Sequence, residues 1–227
     1  MFYMATLKSK ITAIKAGKSL RLKRSSIFLD GRFAFSLDNT VILKENLQVG
    51  QTLSEKEMES LAGADRFERC LNAALLFLGY RPRSESETRT RLQKRGYTGL
   101  EIDRVIERLK NLRLLNDAAF AEYWKENRTT FKPRGQRMLK SELRRKGVDA
   151  VTISESVEGI DELDNARRAA GAKARTLKVT DYQIFRNKLG SYLQRRGFDY
   201  GVISKVVKQV WEERTGENGP DTEEILP

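Results

Sequence analysis

Histidine is missing from the 227-residue chain, and cysteine occurs once, at Cys70. The first absence removes the commonest general base, the Ser-His and Cys-His nucleophile pairs and every histidine-ligated metal site. The second excludes an internal disulfide and a cysteine-only zinc site, and it suits a reducing cytosol. No apolar run approaches the ~20 residues that cross a bilayer, and the opening MFYMATLKSK lacks the hydrophobic segment of a secretory signal. These absences predict a cytoplasmic protein that is not an enzyme and uses neither metal nor cofactor, with no membrane partner.

Positive charge is what the chain has in excess. Lys and Arg number 43 against 31 Asp and Glu, a balance of +12. At 39% hydrophobic and 33% charged, there is enough apolar material for a core under a heavily charged surface. The excess is uneven, with +4 up to Ala64, −1 from Asp65, +8 between Arg66 and Ile160 and +1 over residues 161–227. The last value is low because Glu212–Pro227 carries six acids and one Arg, a composition expected to be disordered. An excess of this size favours a polyanionic partner over a merely solvated surface.

Up to about residue 50 the pattern is strand-like, with Ile11, Ile14, Leu20, Leu22, Ile27, Phe28, Leu29, Phe33, Phe35 and Leu37 often alternating with polar residues. Asp30-Gly31 between two such runs is a hairpin signal, because a type I′ turn needs two positive φ angles. Ser54 and Glu57 form a capping box that starts a short helix through Leu61, and Gly63-Ala64 reads as a junction. The expected organisation is a small β-rich unit at 1–64, helical repeats at 66–115, 116–160 and 161–211, and the acidic tail at 212–227.

The repeats are legible from their glycines. Leu92-Gln-Lys-Arg-Gly96, Leu143-Arg-Arg-Lys-Gly147 and Leu193-Gln-Arg-Arg-Gly197 stand 51 and 50 residues apart. One residue later comes Tyr97, Val148 or Phe198, and six later Ile102, Ile153 or Ile203. Ten later come Ile106, Val157 and Val207, then Leu109, Ile160 and Val210 at thirteen, while Thr88, Leu139 and Leu189 lie four before each leucine. That spacing is one face of a helix. Each unit is read as a first helix (Phe67–Gly79, Asp117–Arg128, Glu162–Leu177), a second helix stopped by the glycine, and a third. Ser84 with Glu87 and Thr98 with Glu101 are capping boxes, and Asp117 and Asp199 are N-cap candidates. Units this small share cores when stacked, which predicts a mainly α, elongated body of three tandem three-helix repeats behind the β unit.

Each second helix ends in a basic pair: Lys94-Arg95, Arg145-Lys146 and Arg195-Arg196. Cations in a last helical turn favour the macrodipole, and Gly supplies the left-handed cap. Capping does not account for Arg137, Lys140 and Arg144, which form an i, i+3, i+7 stripe, nor for Lys132 and Arg134 before it or Arg81 and Arg83 in the matching first loop. These are the candidates for recognising a regularly charged polymer or an acidic groove. Tyr80, Trp124, Phe131 and Tyr182 are candidates for stacking on single-stranded nucleic acid.

Other signals carry less. Ala16-Gly17-Lys18-Ser19 looks like the end of a phosphate loop, but Thr12 replaces its first glycine and a strand rather than a helix follows, so nucleotide binding is rejected. The pairs Glu85/Glu87, Glu122/Glu126 and Asp161/Asp164 sit in first helical turns or beside cations, where capping and surface pairing are expected rather than Mg²⁺. Cys70 falls with Ala73, Ala74 and Leu78 and is expected to be buried.

Several of these segments resemble one family. They are Leu78-Gly-Tyr-Arg81-Pro-Arg83-Ser84-Glu85, the LQKRG and LRRKG helix ends, Leu114-Leu115-Asn116-Asp117-Ala-Ala-Phe120-Ala121, and Lys132-Pro-Arg-Gly135 followed by Leu139 and Glu142-Leu143. Over about residues 66–211 they resemble the RecX family of recombinase regulators. The third unit keeps the glycine and apolar register but lacks the distinctive motif residues. The first ~60 residues look like the β-rich extension of longer members. The resemblance implies three tandem three-helix repeats in a bacterial cytoplasmic protein that lodges in the groove of the RecA–DNA filament. It further implies suppression of ATP hydrolysis and strand exchange, restraint of recombination and the SOS response, and some DNA binding of its own. A monomer partnered by a RecA-type filament and by single- or double-stranded DNA is expected. The alternatives are a stand-alone DNA-binding module and, requiring a carboxylate cluster the sequence does not show, a metal-dependent nuclease. The β unit is left either capping the first repeat or touching DNA through Lys8, Lys10, Lys15, Lys18, Arg21, Lys23 and Arg24.

Overall fold

The computed structural model describes residues 8–17 and 24–216. They form two compact units, one of residues up to 81 with 88–114, the other of residues 82–87 with 115–216. Among the described residues are ten helices and one four-stranded sheet, the mainly α architecture with a small N-terminal β layer that the sequence predicts. Lys18, Ser19, Arg21 and Lys23, and the tail beyond Gly216, lie outside the described residues.

The first unit opens with β1 (Lys8–Ala16), β2 (Arg24–Leu29), β3 (Arg32–Asp38) and β4 (Thr52–Ser54), antiparallel in the order β3-β2-β1-β4. Asp30 and Gly31 have φ of 49° and 82°, the two positive angles the hairpin requires. One face of the sheet is apolar, with Ile11, Ile27, Leu37 and Leu53 at most 1% exposed in a core shared with Val41, Leu47 and Leu61. The strand pattern does not run to residue 50. Residues Asn39–Lys44 form a helix, α1, because the Asp38 carboxylate accepts the Thr40 N–H and opens a helical turn that buries Val41.

The next helix also differs from expectation. The Ser54–Glu57 capping box starts α2 as read, but α2 runs unbroken from Glu55 to Leu78, through Gly63. Its continuity follows from having partners along its length. Leu61 completes the sheet core, Asp65 pairs with Arg24 and accepts the Asp38 N–H, Glu68 pairs with Lys44, and Cys70, Ala73 and Ala74 are buried farther on. A glycine in a helix interior costs about 1 kcal/mol, too little to break a helix anchored on both sides of it.

The remaining helices are α3 (Glu85–Gln93), α4 (Gly99–Asn111), α5 (Asp117–Phe131), α6 (Gln136–Arg145), α7 (Ala150–Val157), α8 (Glu162–Ala174), α9 (Tyr182–Arg195) and α10 (Tyr200–Thr215). In the second unit, α5–α7 enclose Phe120, Leu139, Leu143, Val148, Ile153 and Val157. Alanines 166, 169, 170 and 174 of α8 pack with Phe185, Leu189, Leu193, Val206, Val207 and Trp211. The α5 cap is Asn116, which accepts the Ala118 and Ala119 N–H groups, not Asp117. The Asp117 carboxylate instead accepts the Glu85 N–H at 2.8 Å, closing the start of α3. Asp199 caps α10 as read.

Candidate functional site

The three glycine stops are one structure made three times. Gly96, Gly147 and Gly197 have φ of 82°, 77° and 83°. Each donates to the carbonyl three residues back at 2.9 Å, and the following residue (Tyr97, Val148 or Phe198) donates to the leucine carbonyl (Leu92, Leu143 or Leu193) at 3.2–3.3 Å. This paired cap is the Schellman motif, and it leaves the preceding basic residues at a turn where the helix dipole favours cations.

What lies against the caps divides the predicted recognition residues. Within the second unit the first turn of α3 meets the α6 cap. Ser84 Oγ donates to the Lys146 carbonyl at 2.6 Å and accepts the Glu87 N–H, while Lys146 Nζ pairs with Glu87 at 2.6 Å. The start of α6 meets the α9 cap in the same way, with the Gly135 N–H on the Arg196 carbonyl at 3.0 Å. Arg196 also donates to the Pro133 carbonyl and lies over the Tyr192 ring. Arg134 is half-buried, 3.8 Å from Glu142. Lys146 and Arg196 are therefore engaged by the scaffold, whereas the buried Arg134 Nε makes no hydrogen bond among the described residues. Arg81 and Arg83 are half-buried in the loop before α3.

The residues left facing solvent are Lys94, Arg95, Lys132, Arg137, Arg144, Arg145 and Arg195, with Lys140 half-buried. The α6 stripe survives as read, since Leu139, Glu142 and Leu143 occupy the opposite, buried face. Glu142 holds that buried face by accepting from Trp124 Nε1 at 2.8 Å and Arg128 Nε at 2.7 Å. The Arg128 and Lys146 cations both lie within about 5 Å of the Trp124 ring centroid, and Tyr182 packs edge-on against Trp211. Both aromatics are engaged by the scaffold and half-buried. Tyr80 and Phe131, 85% and 73% exposed, remain open.

Arg137 and Lys140 also line an open groove of about 790 Å³ in the second unit, facing α9 and the first half of α10. Arg186 and Tyr200 join them, with the Arg186 guanidinium 3.5 Å from the Tyr200 hydroxyl. Two acids line the groove, and both are occupied: Glu162 accepts the Gln136 N–H and Asp199 the Gly201 N–H. Three cations therefore face a cleft whose carboxylates are engaged by backbone, an arrangement that suits an anionic chain. Arg186 and Tyr200 were missed by the sequence reading. The signal was present, because Gln183, Arg186, Asn187, Gly190, Ser191 and Gln194 form a polar, small-residue stripe at helical spacing along α9.

The other candidates have local roles. Asp161 caps α8, Glu122 pairs with Lys125 and Asp164 with Arg168. Among the described residues there is no cluster of metal-ligating side chains, and no helix is long and apolar enough to cross a membrane. Cys70 is fully buried, and desolvation pushes its thiol up to about 11. In the sheet, Arg24 is half-buried and paired with Asp65, whereas Lys8, Lys10 and Lys15 are exposed.

The chain matches four family models in order: the regulatory protein RecX N-terminal domain at residues 9–54, and the first, second and third three-helix domains of RecX at 70–109, 116–157 and 160–207. It is 34% identical to the regulatory protein RecX of Bacillus subtilis over 217 residues, covering 94% of this chain and 80% of that one. To the regulatory protein RecX of Bacillus velezensis it is 32% identical, covering 88% and 76%. A crystal structure of regulatory protein RecX superposes with a TM-score of 0.69 at 23% identity, covering 87% of this chain and 98% of that one. RecX from Lactobacillus salivarius superposes at 0.58 with 24% identity, covering 65% and 97%. At those identities the superpositions establish the fold.

Proposed function

This chain belongs to the RecX family of regulatory proteins, and from that premise we propose that it restrains a RecA-type recombinase by lying along the recombinase–DNA filament. It acts by occupancy, without chemistry of its own. Bound there, it slows the recombinase ATPase and strand exchange, and so acts in DNA repair, recombination and the SOS response of the cytoplasm.

The observation that carries this reading is the α6 stripe. Arg137 and Arg144 face solvent and Lys140 lines the groove, while the buried side of the same helix is held by Leu139, Leu143 and the Glu142 node. Arg137 reaches the Gln194 carbonyl at 3.4 Å but stays exposed, as does Arg144, so their charge supports a role toward a partner. Repeated cationic ends (Lys94-Arg95, Arg144-Arg145 and Arg195) suit a partner whose negative charge also repeats, either phosphates or an acidic protein groove.

Co-sedimentation tests it. The chain should pellet with recombinase assembled on single-stranded DNA with ATP, and remain in the supernatant with recombinase that lacks DNA. The groove cations favour a second reading, a DNA-binding module that needs no recombinase. Tight, steeply salt-dependent binding to naked duplex together with failure to co-sediment would establish that reading instead.

A further inference from the structure

We infer that the outer face of the N-terminal sheet is a stacking platform for single-stranded nucleic acid. Ile11, Ile27 and Leu37 point into the core, and a register shift after the Ile27–Phe35 pair leaves Phe28 and Phe33 paired on the opposite face. There Phe28 of β2 stands directly across from Phe33 of β3, the rings edge-to-face with centroids 6.0 Å apart. Phe33 is 60% exposed. The Lys15 ammonium sits 4.7 Å from the Phe28 centroid, and Lys10 is exposed on the same strand.

The hairpin does not require this pair. Its register is set by the buried face and by the positive φ angles at Asp30 and Gly31. An exposed ring is a poor use of apolar area in a folded chain unless something covers it. The charge nearby indicates the class of occupant. Lys10 is exposed and Lys15 lies against the Phe28 ring, while the Asp30 carboxylate of the adjoining turn accepts the Lys10 N–H at 3.0 Å. Aromatic faces beside ammonium groups match a ligand that alternates flat bases with phosphates, which is how sequence-tolerant single-strand sites are built. A protein segment would instead meet two rings bordered by unpaired lysine charge.

This assignment does not rest on the filament reading, because it involves neither the helical repeats nor a recombinase. The test uses the full chain and two labelled probes, a short oligothymidylate and an abasic oligomer of equal length, at one salt concentration. Base stacking should make the thymidylate bind about five-fold or more tightly than its abasic counterpart. F33Y should keep that ratio, while F33L, which keeps an apolar side chain, should bring it close to one. R137E/K140E/R144E, altered in the other unit, should leave the ratio unchanged. A ratio near one in the unaltered chain, or an unchanged ratio in F33L, would overturn the assignment.

Discussion

Gly135 and Gly197 touch. The Gly135 N–H reaches the carbonyl of Arg196, and a Cβ built on Gly135 would fall 2.1 Å from the Gly197 carbonyl oxygen. A Cβ on Gly197 would in turn meet Met138 at 2.5 Å. The start of α6 is thus pressed against the cap of α9 with no room for a methyl group. Gly96 has the same backbone angle but open space around it.

That contrast predicts different costs for the same substitution. Gly96→Ala should cost about 1 kcal/mol, the left-handed penalty alone. Gly135→Ala, at a φ of −75°, has no left-handed penalty but meets the backbone collision and should cost about 3 kcal/mol. At about 2–4 °C per kcal/mol for a chain of this size, calorimetry should show the second variant melting well below the first.

Glu142 makes a second prediction. Its buried carboxylate serves Trp124 and Arg128 together. Glu142→Ala leaves a partly buried guanidinium unpaired and should destabilise by about 3 kcal/mol in denaturant unfolding. Glu142→Gln keeps an acceptor for the Trp124 N–H and should lose less.

How much of this was legible from the sequence varied with the kind of interaction. The repeat was, because Leu92, Leu143 and Leu193 and the glycines that follow them are local signals, and all three leucines are fully buried. The DG hairpin was legible for the same reason. The course of α2 was not, since Gly63 is a breaker by propensity and only the Arg24–Asp65 and Lys44–Glu68 pairs, far apart in sequence, carry the helix past it. The basic residues were found as a set but could not be sorted. Arg195 and Arg196 are adjacent and chemically alike, yet one faces solvent and the other donates to Pro133, a contact 63 residues away.

Acid should weaken the fold through its helix caps. The bond from the Thr98 backbone holds the Glu101 carboxyl below its ordinary value, and bonds from Thr152 do the same for Asp149. A carboxyl depressed in the folded state stabilises above its unfolded value, about 4, and that contribution disappears as the pH falls through the lower folded value. Urea midpoints should therefore decline as the pH drops below about 4, and the decline should be shallower in Asp149→Ala.

The Cys70 thiol should be inert in the folded protein. With its value raised to about 11, the thiolate fraction at neutral pH is vanishingly small, and the side chain is fully buried. Iodoacetamide should label it only in urea, at a rate that follows global unfolding.

The central claim is that the exposed cations of the repeats restrain a recombinase without chemistry of their own, and titration of its DNA-dependent ATPase tests that most directly. Increasing amounts of the unaltered chain should progressively suppress ATP hydrolysis by recombinase on single-stranded DNA. R137E/K140E/R144E, with an unchanged melting temperature, should require at least tenfold more protein for the same suppression. Equal suppression by the folded triple variant, or none by the unaltered chain, would contradict the claim.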